Sequence, residues 1–191
     1  MTTQLRFLGP RSLVGAAALV AALALPATTL AATFDGTPGP DHLVGTDHAD
    51  TIRGFAGNDI LEGRGGNDDI AGGPDNDWIY GGAGADRIAG GDGRDKIRGG
   101  PGADVISGGD GFDVIAGGSG PDILYGADGN DVIAGGLGRD IVSGGAGNDV
   151  IRVGGDSAAD AVHCGPGWDV AFLGRFDIAD RSCEKIVRTL E

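Results

Sequence analysis

An aspartate recurs every nine residues through the middle of this chain: Asp41, Asp50, Asp59, Asp68, Asp77, Asp86, Asp95, Asp104, Asp113, Asp122, Asp131, Asp140 and Asp149. Carboxylates at fixed intervals suit two kinds of chemistry. They can hold hard divalent cations through oxygen, or work in pairs as acid and base on a glycosidic bond. The regular placement assigns them to metal first. Calcium is the favoured ion, because it accepts about 6–8 oxygen ligands in flexible geometry, whereas magnesium demands a tighter octahedron and retains water. Zinc would want His or Cys, and neither recurs at this spacing.

The rest of the nine-residue phrase says what must position the aspartates. Counted from Gly36, thirteen units run to Arg152 without insertion or deletion. Position one is glycine in all thirteen, position four in eleven and position two in eight; His48 and Asp75 replace the fourth-position glycine. Aspartate holds position six, and position eight is always Leu, Ile or Val. Glycine reaches positive φ without steric cost, so a six-residue glycine-rich turn can curl its carbonyls inward. A three-residue strand then places position eight inside and positions seven and nine outside. Position seven is accordingly mixed, with His42, Thr51, Asp69, Arg87 and Lys96 among its occupants.

The phrase matches the glycine-rich nonapeptide G-G-x-G-x-D-x-U-x, and the chain resembles the RTX, or hemolysin-type calcium-binding repeat, family over about 117 residues. The resemblance implies an all-β right-handed parallel β-roll, a β-helix solenoid in which two units make one coil. It further implies several calcium ions between the turns of units i and i+2, held by turn carbonyls and the thirteen position-six aspartates. Between residues 36 and 152 there are twenty Asp and Glu against eight Lys and Arg. Stacking these coils without a cation brings like charges together, so the expected apo state is expanded and folds when the ion binds. The first two units lack the second glycine and should bind calcium more weakly. Asp47, Asp92, Asp110 and Asp128, at position three, read as solvated surface carboxylates.

Outside the repeats the text changes. Arg6 and Arg11 precede an apolar run from Leu13 to Leu25, then Pro26 and the small residues "ATTLAAT". This is the pattern of a secretory signal peptide, with Thr29 and Ala31 at the third and first positions before the cut. Residues 1–32 are therefore read as a leader, 36–152 as the calcium-binding repeats, and 153–191 as degenerate repeats with a cap. The mature chain is expected to be secreted, with no membrane span, since the apolar run is shorter than the roughly 20 residues a span needs. A net charge of −14 excludes nucleic acid as a partner.

In 153–191, Asp160 and Asp169 mark two degraded units, the first lengthened by two residues. Cys164 and Cys183 are expected to form a disulfide, and Trp168, Phe172, Leu173, Phe176 and Ile186 to cap the last coil. No catalytic residue is assigned: His42, His48 and His163 are the only histidines and no nucleophile motif accompanies them. Trp78 and Tyr80 share an outer face and read as surface strand residues with rings of the kind that stack on sugars. Val105, Val114, Ile123, Val132, Ile141 and Val150 occupy outward position seven in successive units, either favouring strand formation or facing a partner. The expected role is that of a structural, adhesive or interaction module acting on a cell-surface, polysaccharide or protein partner. The alternative is a calcium-dependent extracellular hydrolase acting on a polymer.

Overall fold

One aliphatic residue per unit, always on the inner side of its strand, can build a core only by stacking unit on unit. The computed structural model describes residues 31–188 and takes that solution. All but the last two residues of the expected leader therefore lie outside the described residues. Eighteen strands run from Thr33–Asp35 to Lys185–Arg188, with no helix among the described residues. Alternate strands fall into two nine-stranded sheets, all parallel. The molecule is a parallel β-solenoid of about nine coils, each contributing one strand to each sheet. Among the described residues no helix is long and apolar enough to cross a membrane.

Register follows the repeat. Lys96 pairs with Val114, and Val114 with Val132, a step of two units per coil. Position eight makes a continuous inner column: Leu43, Ile52, Leu61 and their successors to Ile151 are at most 4% exposed. The column continues through Val162 and Ala171. Each aliphatic is thus stacked in register with the aliphatics of the coils above and below, removing apolar surface from water.

The strands are longer than three residues. In the middle of the roll they span six or seven, as in Ile60–Gly65, Arg87–Gly93 and Val105–Gly111. The turn glycines are themselves in register, Gly73 with Gly91 and Gly91 with Gly109, so the ladder runs on into the turn. Positive φ at Gly91 (124°) bends the chain without breaking that pairing.

Beyond Arg152 the solenoid continues. Ile141 pairs with Ala161 and Val150 with Val170, a step lengthened by the two extra residues of the degraded unit. Cys164 and Cys183 are bonded, with Cα atoms 5.1 Å apart. Of the five apolar residues expected to roof the last coil, Leu173 is buried and Phe172 half-buried. Trp168, Phe176 and Ile186 are exposed. The segment adds coils tied by a disulfide instead of folding its aromatics over the end.

Close stacking sets a sharp stability test. A Cβ at Gly84 (φ 143°) would be driven into the Gly66 carbonyl of the neighbouring coil, whereas one at Gly39 meets nothing within 4 Å. We expect Gly84→Ala to cost at least about 3 kcal/mol and Gly39→Ala no more than about 0.5 kcal/mol in denaturant unfolding. Equal effects would contradict the observed contact between coils.

Candidate metal centres

The position-six residue precedes the outward position seven and points inward, so all thirteen aspartates lie inside the roll. Each is at most 5% exposed. Three further aspartates are buried in the same way: Asp160, Asp169 and Asp177. Two turn columns run the length of the molecule, one along each edge where the sheets meet, and the carboxylates form a ladder within each.

The two oxygens of each carboxylate do different things. From Asp59 onward, Oδ1 accepts the backbone N–H of the aspartate one coil earlier: Asp41 to Asp59 at 2.8 Å, Asp95 to Asp113 at 2.8 Å, Asp131 to Asp149 at 2.9 Å; Asp50 Oδ1 accepts the Ala32 amide. The ladder passes the lengthened unit intact, through Asp140 to Asp160 and Asp149 to Asp169. It closes where the Asp169 amide meets Glu184 Oε2 and the Asp160 amide meets Asp177 Oδ1. Oδ2 is different. From Asp59 to Asp149, and again at Asp160 and Asp169, it is buried and has no hydrogen-bond partner. Asp41 and Asp50 are exceptions, since Thr37 and Thr46 donate to their Oδ2 atoms.

The unpartnered oxygen faces the position-one glycine of its own turn. A Cβ at Gly81 would lie 2.5 Å from Asp86 Oδ2 and 2.8 Å from the Gly99 carbonyl oxygen of the next coil. Only hydrogen fits there, which accounts for glycine at position one in all thirteen units. Oxygens from two successive coils converge on the same space. Val153 and Cys164 take position one in the two degraded units, so the turns of Asp160 and Asp169 depart from the repeat. Among the described residues no three His, Cys, Asp or Glu side chains gather as a metal cluster. An ion in the turns would therefore depend on few carboxylates and on backbone carbonyls. Asp92, Asp110 and Asp128 stack in register at exposed positions on the outer side of the turns.

Burial makes these carboxyls reluctant to ionise. Burial, the largest cause, raises Asp77, Asp122 and Asp160 to about 7, and Asp68, Asp95 and Asp131 to about 6. The amide bond to Oδ1 opposes the rise, and for these six residues neighbouring carboxylates add to it. Asp59, Asp86, Asp104, Asp113, Asp140, Asp149 and Asp169 shift in the same direction.

The segment beside the disulfide holds a different polar group. Ser182 Oγ donates to Asp180 Oδ1 and accepts the Cys164 and Gly165 amides at 2.9 and 3.1 Å. His163 Nδ1 contacts Asp180 Oδ2. Both Ser182 and Asp180 approach the same imidazole nitrogen, so the trio does not form a nucleophile–base–carboxylate relay. It clasps the last coils, and Cys164 is committed to its disulfide. The Ser182 bonds, followed by His163, hold Asp180 down at about 2.

The repeated turn, with its buried aspartate and convergent carbonyls, matches the family model described as the RTX calcium-binding nonapeptide repeat. The matches overlap, beginning with residues 35–70 and ending with 125–157. The chain belongs to the RTX calcium-binding nonapeptide repeat family. No curated protein matches it. Asp160, Asp169 and Asp177 lie past the matched span; the first two mark the degraded units already recognised in the sequence, and Asp177 was missed. Their signal was an aspartate followed two residues later by Val162, Ala171 or Ala179, once the uneven unit lengths are allowed for.

Metal-free stability should track these carboxyls. Their folded pKa values lie above the unfolded value of about 3.9, so the native state binds more protons between about pH 4 and 7. In chelator the RTX roll should be most stable below about pH 4 and lose stability as pH rises through 6–7. Asp180 acts oppositely, its contribution being present above about pH 4 and lost only as pH falls through 2. Thermal unfolding in chelator from pH 4 to 8 measures the balance; a rise in stability toward pH 7 would contradict it.

Proposed function

We propose that the chain is an exported calcium-binding β-roll, folding as it binds calcium after export and serving as a structural, adhesive or interaction module. The observation that carries this reading is the row of buried, unpartnered Oδ2 atoms. An ionised carboxylate oxygen out of water and without a partner is costly, and here the cost repeats along both columns. A cation between successive turns offsets it. The position-six aspartates from Asp59 to Asp149, through their unpartnered Oδ2 atoms, and the position-one carbonyls of the next coil are the groups that would hold the ion. Calcium suits such a site because it takes about 6–8 oxygens at roughly 2.3–2.6 Å in flexible geometry. When bound it supplies positive charge where the chain has none to offer.

The chain's own contribution is the shape. Glycine at position one leaves room, positive φ at position two turns the carbonyls, and Oδ1 holds each carboxylate in line through the preceding amide. Little of this survives in an expanded chain, so ion binding and folding are linked. Export is supported by the basic and apolar leader in residues 1–32 and by the Cys164–Cys183 disulfide, a bond typical of oxidising compartments. The role as a module in place of an enzyme is supported by the use of the aspartates as equivalent structural ligands.

Far-UV circular dichroism during calcium titration tests this, with magnesium as control and the disulfide oxidised. A cooperative gain of β signal is expected with calcium and not with magnesium. A chain already folded in chelator at pH 7.5 would leave a metal-independent solenoid and overturn ion-linked folding.

A further inference from the structure

The two turns nearest the N-terminus differ from the other eleven at one residue. Position two is threonine in both, Thr37 and Thr46. In every later unit, from Phe55 to Gly145, position two has positive φ, even where it is Phe55 (72°), Arg64 (75°) or Ala127 (79°). Neither threonine adopts it. A β-branched residue avoids that region, and both threonines direct their donors at the buried carboxylate. Thr37 gives its amide (2.5 Å) and its hydroxyl (3.0 Å) to Asp41 Oδ2. Thr46 does the same for Asp50 Oδ2, at 2.6 and 2.9 Å. The equivalent oxygen has no partner in all eleven turns from Asp59 to Asp149.

We infer that Thr37 and Thr46 stand in for the cation: the turns of Asp41 and Asp50 take no ion, and the ion-binding run begins at Asp59. This rests on the reading of the later turns as calcium sites. Two donors on one carboxylate oxygen make charge-assisted hydrogen bonds and remove the electrostatic need that an ion meets elsewhere. They also present hydrogens, positive end inward, to the oxygen a cation would have to approach. Binding there would require breaking both bonds and turning the threonine backbone toward positive φ. The roll is thereby closed at its N-terminal end by protein donors, while at the other end Glu184 and Asp177 close the amide ladder as acceptors.

The test counts bound calcium on the purified protein by equilibrium dialysis and metal analysis. Asp41→Asn with Asp50→Asn should leave the number of ions unchanged, while Asp59→Asn with Asp68→Asn lowers it. Thr37→Gly with Thr46→Gly should raise it by one ion per converted turn. Thr37→Ala with Thr46→Ala provides a second route to the same gain, because Ala127 already occupies this position with the required backbone. Circular dichroism in saturating calcium identifies variants that have folded. A loss of ions in the first pair equal to that in the second would overturn the inference. So would an unchanged count in folded threonine variants. Wild-type protein that binds no calcium would instead overturn the reading on which the inference rests.

Discussion

The structure depends on a carboxylate that is buried with only one of its two oxygens employed. Oδ1 receives an amide from the coil before, and this bond recurs from Asp41 to Asp169 with hardly any change in length. Oδ2 is left over. Other features of the repeat arrange themselves around that oxygen. Position one must lack a side chain because Oδ2 and a carbonyl from the next coil meet there. Position two turns the backbone, and position eight supplies the only apolar column thick enough to hold the coils together. A solenoid whose core holds only two repeat aliphatics per coil, one from each sheet, has little stability to spare, so the fate of the leftover oxygen governs the fold.

Much of this was legible in the residues. Glycine at position one, aspartate at position six and an aliphatic at position eight, repeated thirteen times, give the repeat and its inner face, and the resemblance to the RTX family supplied the two-unit coil and the place of the carboxylates in its turns. The pairing of Cys164 with Cys183 was also legible, since they are the only cysteines in the chain. What did not show was the extent of the strands. Strand length was read from alternation, and alternation is silent where the residues are glycine. The ladder at Gly73 and Gly91 depends on backbone pairing between coils, which no single unit displays.

The chain ends were harder for a different reason. The first degraded unit is two residues longer, so a strict count in steps of nine goes out of phase there; Asp160 and Asp169 still stood out, whereas Asp177 emerges only when the sheet register supplies the alignment. Trp168, Phe176 and Ile186 suggested a roof because they are apolar and terminal. Ile186 lies on the last strand and Trp168 and Phe176 in the connections between strands, and all three are exposed instead. At the opposite end, a missing second glycine signalled a weaker site. The hydrogen bonds of Thr37 and Thr46 give that signal its physical content, because a side-chain donor occupies the very oxygen at issue.

The amide ladder also has an arrow. The N–H of Asp95 bonds to a carboxylate in the coil that follows, and its carbonyl accepts from Val114 in that same coil. Both peptide groups at each aspartate look forward along the chain, so every turn is completed by its successor. A coil at the end of the roll therefore carries unused amide and carbonyl groups until another coil stacks on it. The last of them are met in the coils fastened by Cys164–Cys183 and the Ser182 clasp, where Asp177, Ile178, Glu184 and Lys185 supply the partners. The residues that looked like a frayed remnant of the repeat are what gives the ladder its end.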